Sequence, residues 1–199
     1  LPNFCNLGEM LRSLLIANMF VIAAAVLRAP TPVAIGYELL VMAAFCEPVL
    51  IASLAALCAE ALGVMEATVN ATIEYLKTRQ QFGQPIGRFQ ALQHRMADML
   101  LHLEQARSMS YLAAMDCQNA DDDVRRKTLS AAKVTIGQAC RYIAQQAVQL
   151  HGGMGMTDEL VVSHWFKRLL AIELSFGDTD LHLQRFAELS QRAALKAAA

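Results

Sequence analysis

Residues 128–153 read TLSAAKVTIGQACRYIAQQAVQLHGG. Leu129, Ala132, Ile136, Ala139, Ile143, Ala147 and Leu150 recur at steps of three and four, the spacing of one face of an α-helix. Gly152-Gly153 ends the pattern, where a helix C-terminus favours a residue without Cβ strain. The stretch is a long helix with one apolar stripe, and such a stripe needs other elements to cover it.

Similar spacing recurs on both sides. Leu54, Leu57, Ala61, Val64, Met65, Thr68, Thr72 and Tyr75 predict an amphipathic helix from about Ser53, with Glu66, Asn70, Glu74 and Lys77 on its other face. It stops at Arg79-Gln-Gln-Phe-Gly-Gln-Pro-Ile-Gly87, where Gly83, Pro85 and Gly87 punctuate a loop. A second helix runs from about Phe89 to Cys117, its stripe being Leu92, Met96, Met99, Leu100, Leu103, Ala106 and Leu112. Asp121, Asp122 and Asp123 are expected at the start of the third helix, where the dipole favours negative charge. Thr157-Asp158 reads as the N-cap of a fourth helix containing Leu160, Val161, Trp165, Leu169 and Ile172. Phe176-Gly-Asp-Thr179 leads into a fifth, with Leu183, Phe186 and Leu189. No segment reads as a strand. The fold class is therefore all-α, an antiparallel helical bundle.

Composition narrows the function. The 199 residues carry 17 Lys+Arg against 18 Asp+Glu, a formal charge of −1, so no basic excess points to nucleic acid. At 55% hydrophobic and 18% charged the chain is not disordered, and 5 prolines with 10 glycines suit helix. Cys5, Cys46, Cys58, Cys117 and Cys140 show neither a Cys-x-x-Cys pair nor zinc spacing, so they read as reduced thiols in a cytoplasmic compartment. His94 and His102 share a helix face but stand two turns apart, and His164 and His182 add no metal pair, so no metal site is expected.

Residues 1–50 differ from the rest. They hold only Glu9, Arg12, Arg28, Glu38 and Glu47 as charges and settle into no stripe, and Pro30 and Pro32 interrupt them. The domain reading is an apolar flank over 1–50 and a helical domain over 51–199. The opening residue is Leu1, so a fragment or processed piece is expected. The apolar run from Leu14 to Leu27 is short for a membrane span, and Glu38, Glu47 and Glu60 interrupt the run from Ile35 to Leu62, so no span is expected.

Three segments carry chemistry. The first is Arg79-Gln80-Gln81-Phe82-Gly83-Gln84-Pro85-Ile86, followed by Phe89-Gln90-Ala91-Leu92-Gln93. The second is Gln149-Leu150-His151-Gly152-Gly153-Met154-Gly155. The third is Phe176-Gly177-Asp178-Thr179, followed by Leu183-Gln184-Arg185. Arg79 offers forked donors and fixed positive charge for a pyrophosphate. Phe82 offers a face for a flat ring system. Gly152, Gly153 and Gly155 let backbone approach a ligand. Gln90 and Gln149 add uncharged donors and acceptors. Taken singly, Arg79 also reads as a charge at a helix C-terminus, Phe82 as core, and Gly152-Gly153 as a helix stop.

Together and in this order the three segments resemble the C-terminal helical domain of the acyl-CoA dehydrogenases, from about Ser53 onward. The resemblance implies FAD as cofactor and an acyl-CoA thioester as substrate. It implies cofactor contacts at Arg79, Gln81, Phe82, Gln90, Gln149, Leu150, His151, Gly152, Gly153 and Thr179. In the family the first two segments touch FAD of a neighbouring subunit, so a homo- or hetero-oligomer, dimer or tetramer, is also implied.

The third segment departs from the family. The usual base is a glutamate in a Tyr-Glu-Gly-Thr turn, which removes the α-proton while a hydride leaves the β-carbon. Alignment on Thr179 puts Gly177 at that place, and alignment from the glycine pair puts Phe176 there. Asp178 is the nearby carboxylate, shorter and shifted by one, and its other reading is a helix N-cap. Some family members carry the glutamate on the preceding helix. The matching stretch, Ile51-Ala-Ser-Leu54, has no carboxylate; Glu47 and Glu60 flank it, and Glu173 has no base role by alignment. The chain thus resembles the base-lacking small subunit of heteromeric acyl-CoA dehydrogenases. Two other readings stay open: a non-catalytic helical assembly module, and a membrane-associated helical protein using residues 14–62.

Overall fold

The computed structural model describes residues 32–198. The run Leu14–Leu27, Cys5, Glu9 and Arg12 lie outside the described residues. The chain divides into two units between Ala52 and Ser53, and the second unit holds everything that follows. Among the described residues there are five α-helices. They are α1 (Pro32–Thr78), α2 (Gln90–Asp116), α3 (Asp122–His151), α4 (Val161–Leu174) and α5 (Thr179–Ala198). The all-α bundle is therefore present.

α1 begins well before the Ser53 at which the periodic pattern starts. The reason is compositional: Pro32 suits a first helical position, and the residues after it are apolar on all sides, so no stripe announces the helix. Within the second unit α1 buries Leu54, Cys58, Ala61, Met65, Val69 and Leu76. Thr68 and Thr72 are also buried on this face, and each donates its hydroxyl one turn back, to Val64 O and Thr68 O at 2.7 Å. The segment Val49–Thr78 is long and apolar enough to cross a membrane, with a mean hydropathy of 1.8. A core helix of a bundle has the same composition.

α3 packs against α2, α4 and α5. Two of its faces are consequently buried: Leu129, Ala132, Ile136, Ala139, Ile143, Ala147 and Leu150 as expected, and also Lys133, Gly137 and Cys140. Its N-terminus is capped by Asp121, whose side chain accepts from Asp123 N and Val124 N, with Asp122 and Asp123 in the first turn.

Three expectations need correction. α4 starts at Val161 with Leu160 at the N-cap position, not at Thr157-Asp158. Thr157 instead donates to Met154 O, and Asp158 is drawn away by Lys167 at 2.7 Å. Leu100 and Leu112 on α2 are exposed, because the contact face of α2 is the narrower stripe Met96, Met99, Leu103, Ala106, Ser110 and Ala113. A minimal strand pair exists, β1 (Gln80–Gln81) with β2 (Gln84–Pro85). Its tip residues Phe82 and Gly83 both have positive φ, 54° and 77°, the pattern of a two-residue type I′ hairpin. Two-residue strands leave no alternation for a sequence to display.

Cys58 and Cys140 are free and buried, and burial pushes their thiols up to about 11 and about 12. Since the thiolate is the nucleophile, both should be inert in the folded chain. At pH 8, iodoacetamide is expected to label the part-exposed Cys117 while Cys58 and Cys140 remain unlabelled until denaturant is added, read by peptide mass spectrometry. Labelling of Cys58 at the rate of Cys117 in the folded chain would contradict this packing.

Candidate functional site

The residues singled out in the sequence fall into two groups along α3. The first gathers where α1 and α3 end. The carbonyl of Tyr75 accepts from Arg79 N at 2.8 Å, and Ile86 N closes the hairpin onto Arg79 O at 2.8 Å. The Tyr75 ring stacks on His151 with centroids 4.4 Å apart, which sets the hairpin beside the Gly152 turn. Arg79 and Gln81 are exposed, and the Arg79 guanidinium makes no hydrogen bond or ion pair among the described residues.

Phe82 is 91% exposed and has positive φ, although it is neither glycine nor asparagine. Strain of this kind persists where the surroundings require it, commonly at ligand clamps. Its one ring neighbour is Phe89, edge-on at 6.1 Å. Gln90, the first residue of α2, is exposed nearby, as is Gln149 near the end of α3. Gly152 has φ 62°, and a Cβ at Gly152 or Gly153 would meet nothing within 4 Å, so this backbone faces open space. Leu150 and His151 are different: both residues are buried, beneath the turn rather than at its surface.

The second group surrounds the Phe176–Thr179 turn. Thr179 lies against Gly137, where a Cβ would come 2.8 Å from Thr179 Oγ1 and 3.4 Å from Glu173 Cγ. Gly137 and Gly152 are 15 residues apart on α3, about 22 Å at 1.5 Å per residue, so Thr179 is remote from the first group. A cleft of about 410 Å³ opens here between Arg141 and Tyr142 of α3, His102 of α2, Glu173, and the Asp178–Asp180 start of α5.

Two carboxylates of this cleft, Glu173 and Asp178, are already engaged. Glu173 is 2% exposed, and its Oε1 accepts from Arg141 Nη2 at 2.7 Å and Thr179 Oγ1 at 3.3 Å. Asp178 Oδ1 accepts from Leu181 N at 2.9 Å, while its carbonyl accepts from His182 N, so Asp178 is the N-cap of α5. Phe176 and Gly177 both have positive φ, 59° and 105°. A Cβ at Gly177 would lie 2.6 Å from Leu181 Cδ2, the end of a side chain that can move, but its φ of 105° is a conformation L side chains rarely adopt, so a side chain here would be strained. Arg168 grips both oxygens of Glu60, at 2.6 and 2.8 Å, and these hydrogen bonds hold its carboxyl below the usual range.

Two supporting residues gave no sequence signal of their role. Lys133 Nζ is buried and donates to Ile172 O and Glu173 O, both at 2.8 Å, closing the end of α4. His182 is 1% exposed, and its Nε2–H donates to Phe176 O at 3.1 Å, bracing the strained turn. A lysine inside an apolar stripe and a histidine one turn after a cap were visible, but their partners come from other elements. Among the described residues no cluster of His, Cys, Asp and Glu can hold a metal.

Burial, with Arg185 and Lys133 nearby, lowers the His182 pKa below 6.5. The unfolded chain therefore takes the proton first, and stability present above pH 6.5 falls as the pH drops below it. His182→Gln is expected to flatten this acid limb in melting temperature between pH 7 and 5. An unchanged limb would show that His182 does not carry it.

Residues 53–190 match the family model described as acyl-CoA dehydrogenase, C-terminal domain. The chain is 32% identical over 125 residues to isovaleryl-CoA dehydrogenase, mitochondrial, of Oryza sativa subsp. japonica, covering 63% of this chain and 30% of that protein. A solved variant of the Tcur3481-Tcur3483 steroid ACAD superposes with TM-score 0.70 at 30% identity, covering 73% of this chain and 40% of that one. Glutaryl-coenzyme A dehydrogenase in complex with glutaryl-CoA gives TM-score 0.68 at 26% identity, covering 76% and 38%. The chain thus spans less than a third of the rice relative's length.

Proposed function

The chain belongs to the acyl-CoA dehydrogenase family, whose C-terminal helical domain it carries, and from that premise we propose that it serves as the FAD-contacting and subunit-pairing part of such an enzyme. The family consists of FAD-dependent oxidoreductases. The finer reading is that the other domains come from the rest of a longer chain or from a partner subunit, and that this chain supplies no catalytic glutamate. The substrate of the assembly is an acyl-CoA thioester. The free, buried Cys58 and Cys140 fit a reducing, cytoplasmic compartment.

One observation carries the reading. Arg79, unpaired among the described residues, a strained and exposed Phe82 and an open Gly152–Gly153 backbone belong to two loops whose flanking residues, Tyr75 and His151, are stacked on each other. These groups suit a flavin dinucleotide. Arg79 would hold the pyrophosphate through charge-assisted bonds. Phe82 would lie against a flat ring, with Gln81, Gln90 and Gln149 as neutral donors and acceptors. Gly152 and Gly153 would let the ligand approach closely, with Leu150 and His151 supporting the turn from beneath. Bound FAD supplies the hydride acceptor for α,β-dehydrogenation. Thr179, remote from this group, would meet a different part of the assembly.

For the proton, the turn argues that the base lies elsewhere. Gly177 offers no carboxylate, and Asp178 spends its oxygen on the α5 N-terminus. The exposed Leu101 and Met115 on α2 supply apolar surface for subunit pairing. The pinned carboxylates also fit a non-catalytic assembly module, which differs in lacking any effect on flavin.

The isolated 199-residue chain is expected to retain no stoichiometric FAD. In the assembled flavoprotein Arg79→Ala should weaken FAD binding by about 1.5–3 kcal/mol, the scale of a hydrogen bond to a charged group. Asp178→Asn keeps a good N-cap and should leave flavin reduction within a few-fold, whereas loss of a true base costs about 10²–10⁴ in rate. Loss of reduction in Asp178→Asn with FAD still bound would make Asp178 the base. Unaltered FAD affinity in Arg79→Ala would favour the assembly module.

A further inference from the structure

Two loops form the first group, and they are far apart in sequence: the hairpin after Arg79 and the 3₁₀ turn Gly152–Met156. Each hangs from one aromatic residue. Tyr75 lies in the last turn of α1, and its carbonyl anchors Arg79 N. His151 is the last residue of α3, immediately before Gly152. The two rings stack at 4.4 Å with 29° between their planes, and Tyr75 Oη reaches His151 O at 3.4 Å.

The His151 ring is itself fixed. Its Nδ1–H donates to Ala147 O at 2.8 Å, and the side chain is buried. The turn also closes over it: a Cβ at Gly155 would meet Val148 O at 2.7 Å and His151 Cβ at 3.1 Å. That contact is with backbone, which cannot swing aside, so the turn sits tightly on the end of α3. The Tyr75–His151 pair is thus a direct side-chain link between the helix end that carries Arg79 and the one that carries Gly152.

We infer that Tyr75 and His151 are positioning residues, which couple the Arg79 hairpin to the Gly152 turn so that the two loops meet one ligand as a rigid unit. This rests on the proposal that both loops contact a flavin dinucleotide. A ligand clamped at two points loses affinity when the points drift, because binding must then reorder them. Tyr75 and His151 need touch no ligand to have this effect. The stack, rather than the long hydroxyl contact, carries most of it, since aromatic pairs gain from ring contact beyond area burial.

The test is amide hydrogen exchange on the full chain. His151→Leu, or His151→Asn if the first folds poorly, should speed exchange at Ile86 N, which closes the hairpin, by at least about tenfold. Amides in the middle of α3 should be unchanged. Tyr75→Phe should behave as the wild type, Tyr75→Leu as His151→Leu, and the double variant no worse than either single one. Ordinary core packing predicts otherwise: hairpin and α3 amides would accelerate by the same factor, tracking the melting temperature. That result, or an unmoved Ile86, overturns the inference. In the assembled flavoprotein, His151→Leu should lower FAD affinity about as much as Arg79→Ala. Selective loosening of the hairpin with unchanged FAD affinity would keep the coupling and reject the flavin reading of these loops.

Discussion

A buried ammonium sets the frame. Lys133 lies on the central helix inside an apolar stripe, and burial lowers its pKa while the Glu173 carboxylate pulls it back up. Burying such a charge is costly unless it is hydrogen-bonded. Here it donates to the carbonyls of Ile172 and Glu173, at the negative end of the α4 dipole. The end of α4 is thereby tied to α3. From that point Glu173 reaches Arg141 and Thr179, and the chain turns through two positive-φ residues that His182 braces.

The same helix separates the two candidate groups. At its middle, Gly137 admits Thr179 and the start of α5; at its end, His151 meets Tyr75. In one group Glu173 and Asp178 are held internally. The other leaves Arg79 unpaired among the described residues and Phe82 in solvent. Unsatisfied surface of this kind signals a partner, whereas satisfied carboxylates signal structure. The chain covers less than a third of its relative's length.

Much of this was legible in the sequence. Steps of three and four marked α2, α3 and α5, and Asp121 announced its cap because it acts on its own neighbours, Asp123 and Val124. The loops were legible because Arg79, Phe82 and the glycine pair keep their order. What stayed hidden depends on distant residues. Asp158 reads as a cap until Lys167 takes it. Glu60 reads as a free carboxylate until Arg168, 108 residues later, grips it. The N-terminal part of α1 was hidden for another reason, since a helix apolar on all sides has no period to read.

The central claim is that this chain completes a flavin site made mostly by other domains. A structure of the chain assembled with those domains and FAD tests it most directly. The account predicts dinucleotide density with its pyrophosphate at Arg79 and a ring against Phe82, beside Gly152 and Gly153. Density for the dinucleotide that leaves the Arg79 hairpin and the Gly152 turn untouched would contradict it.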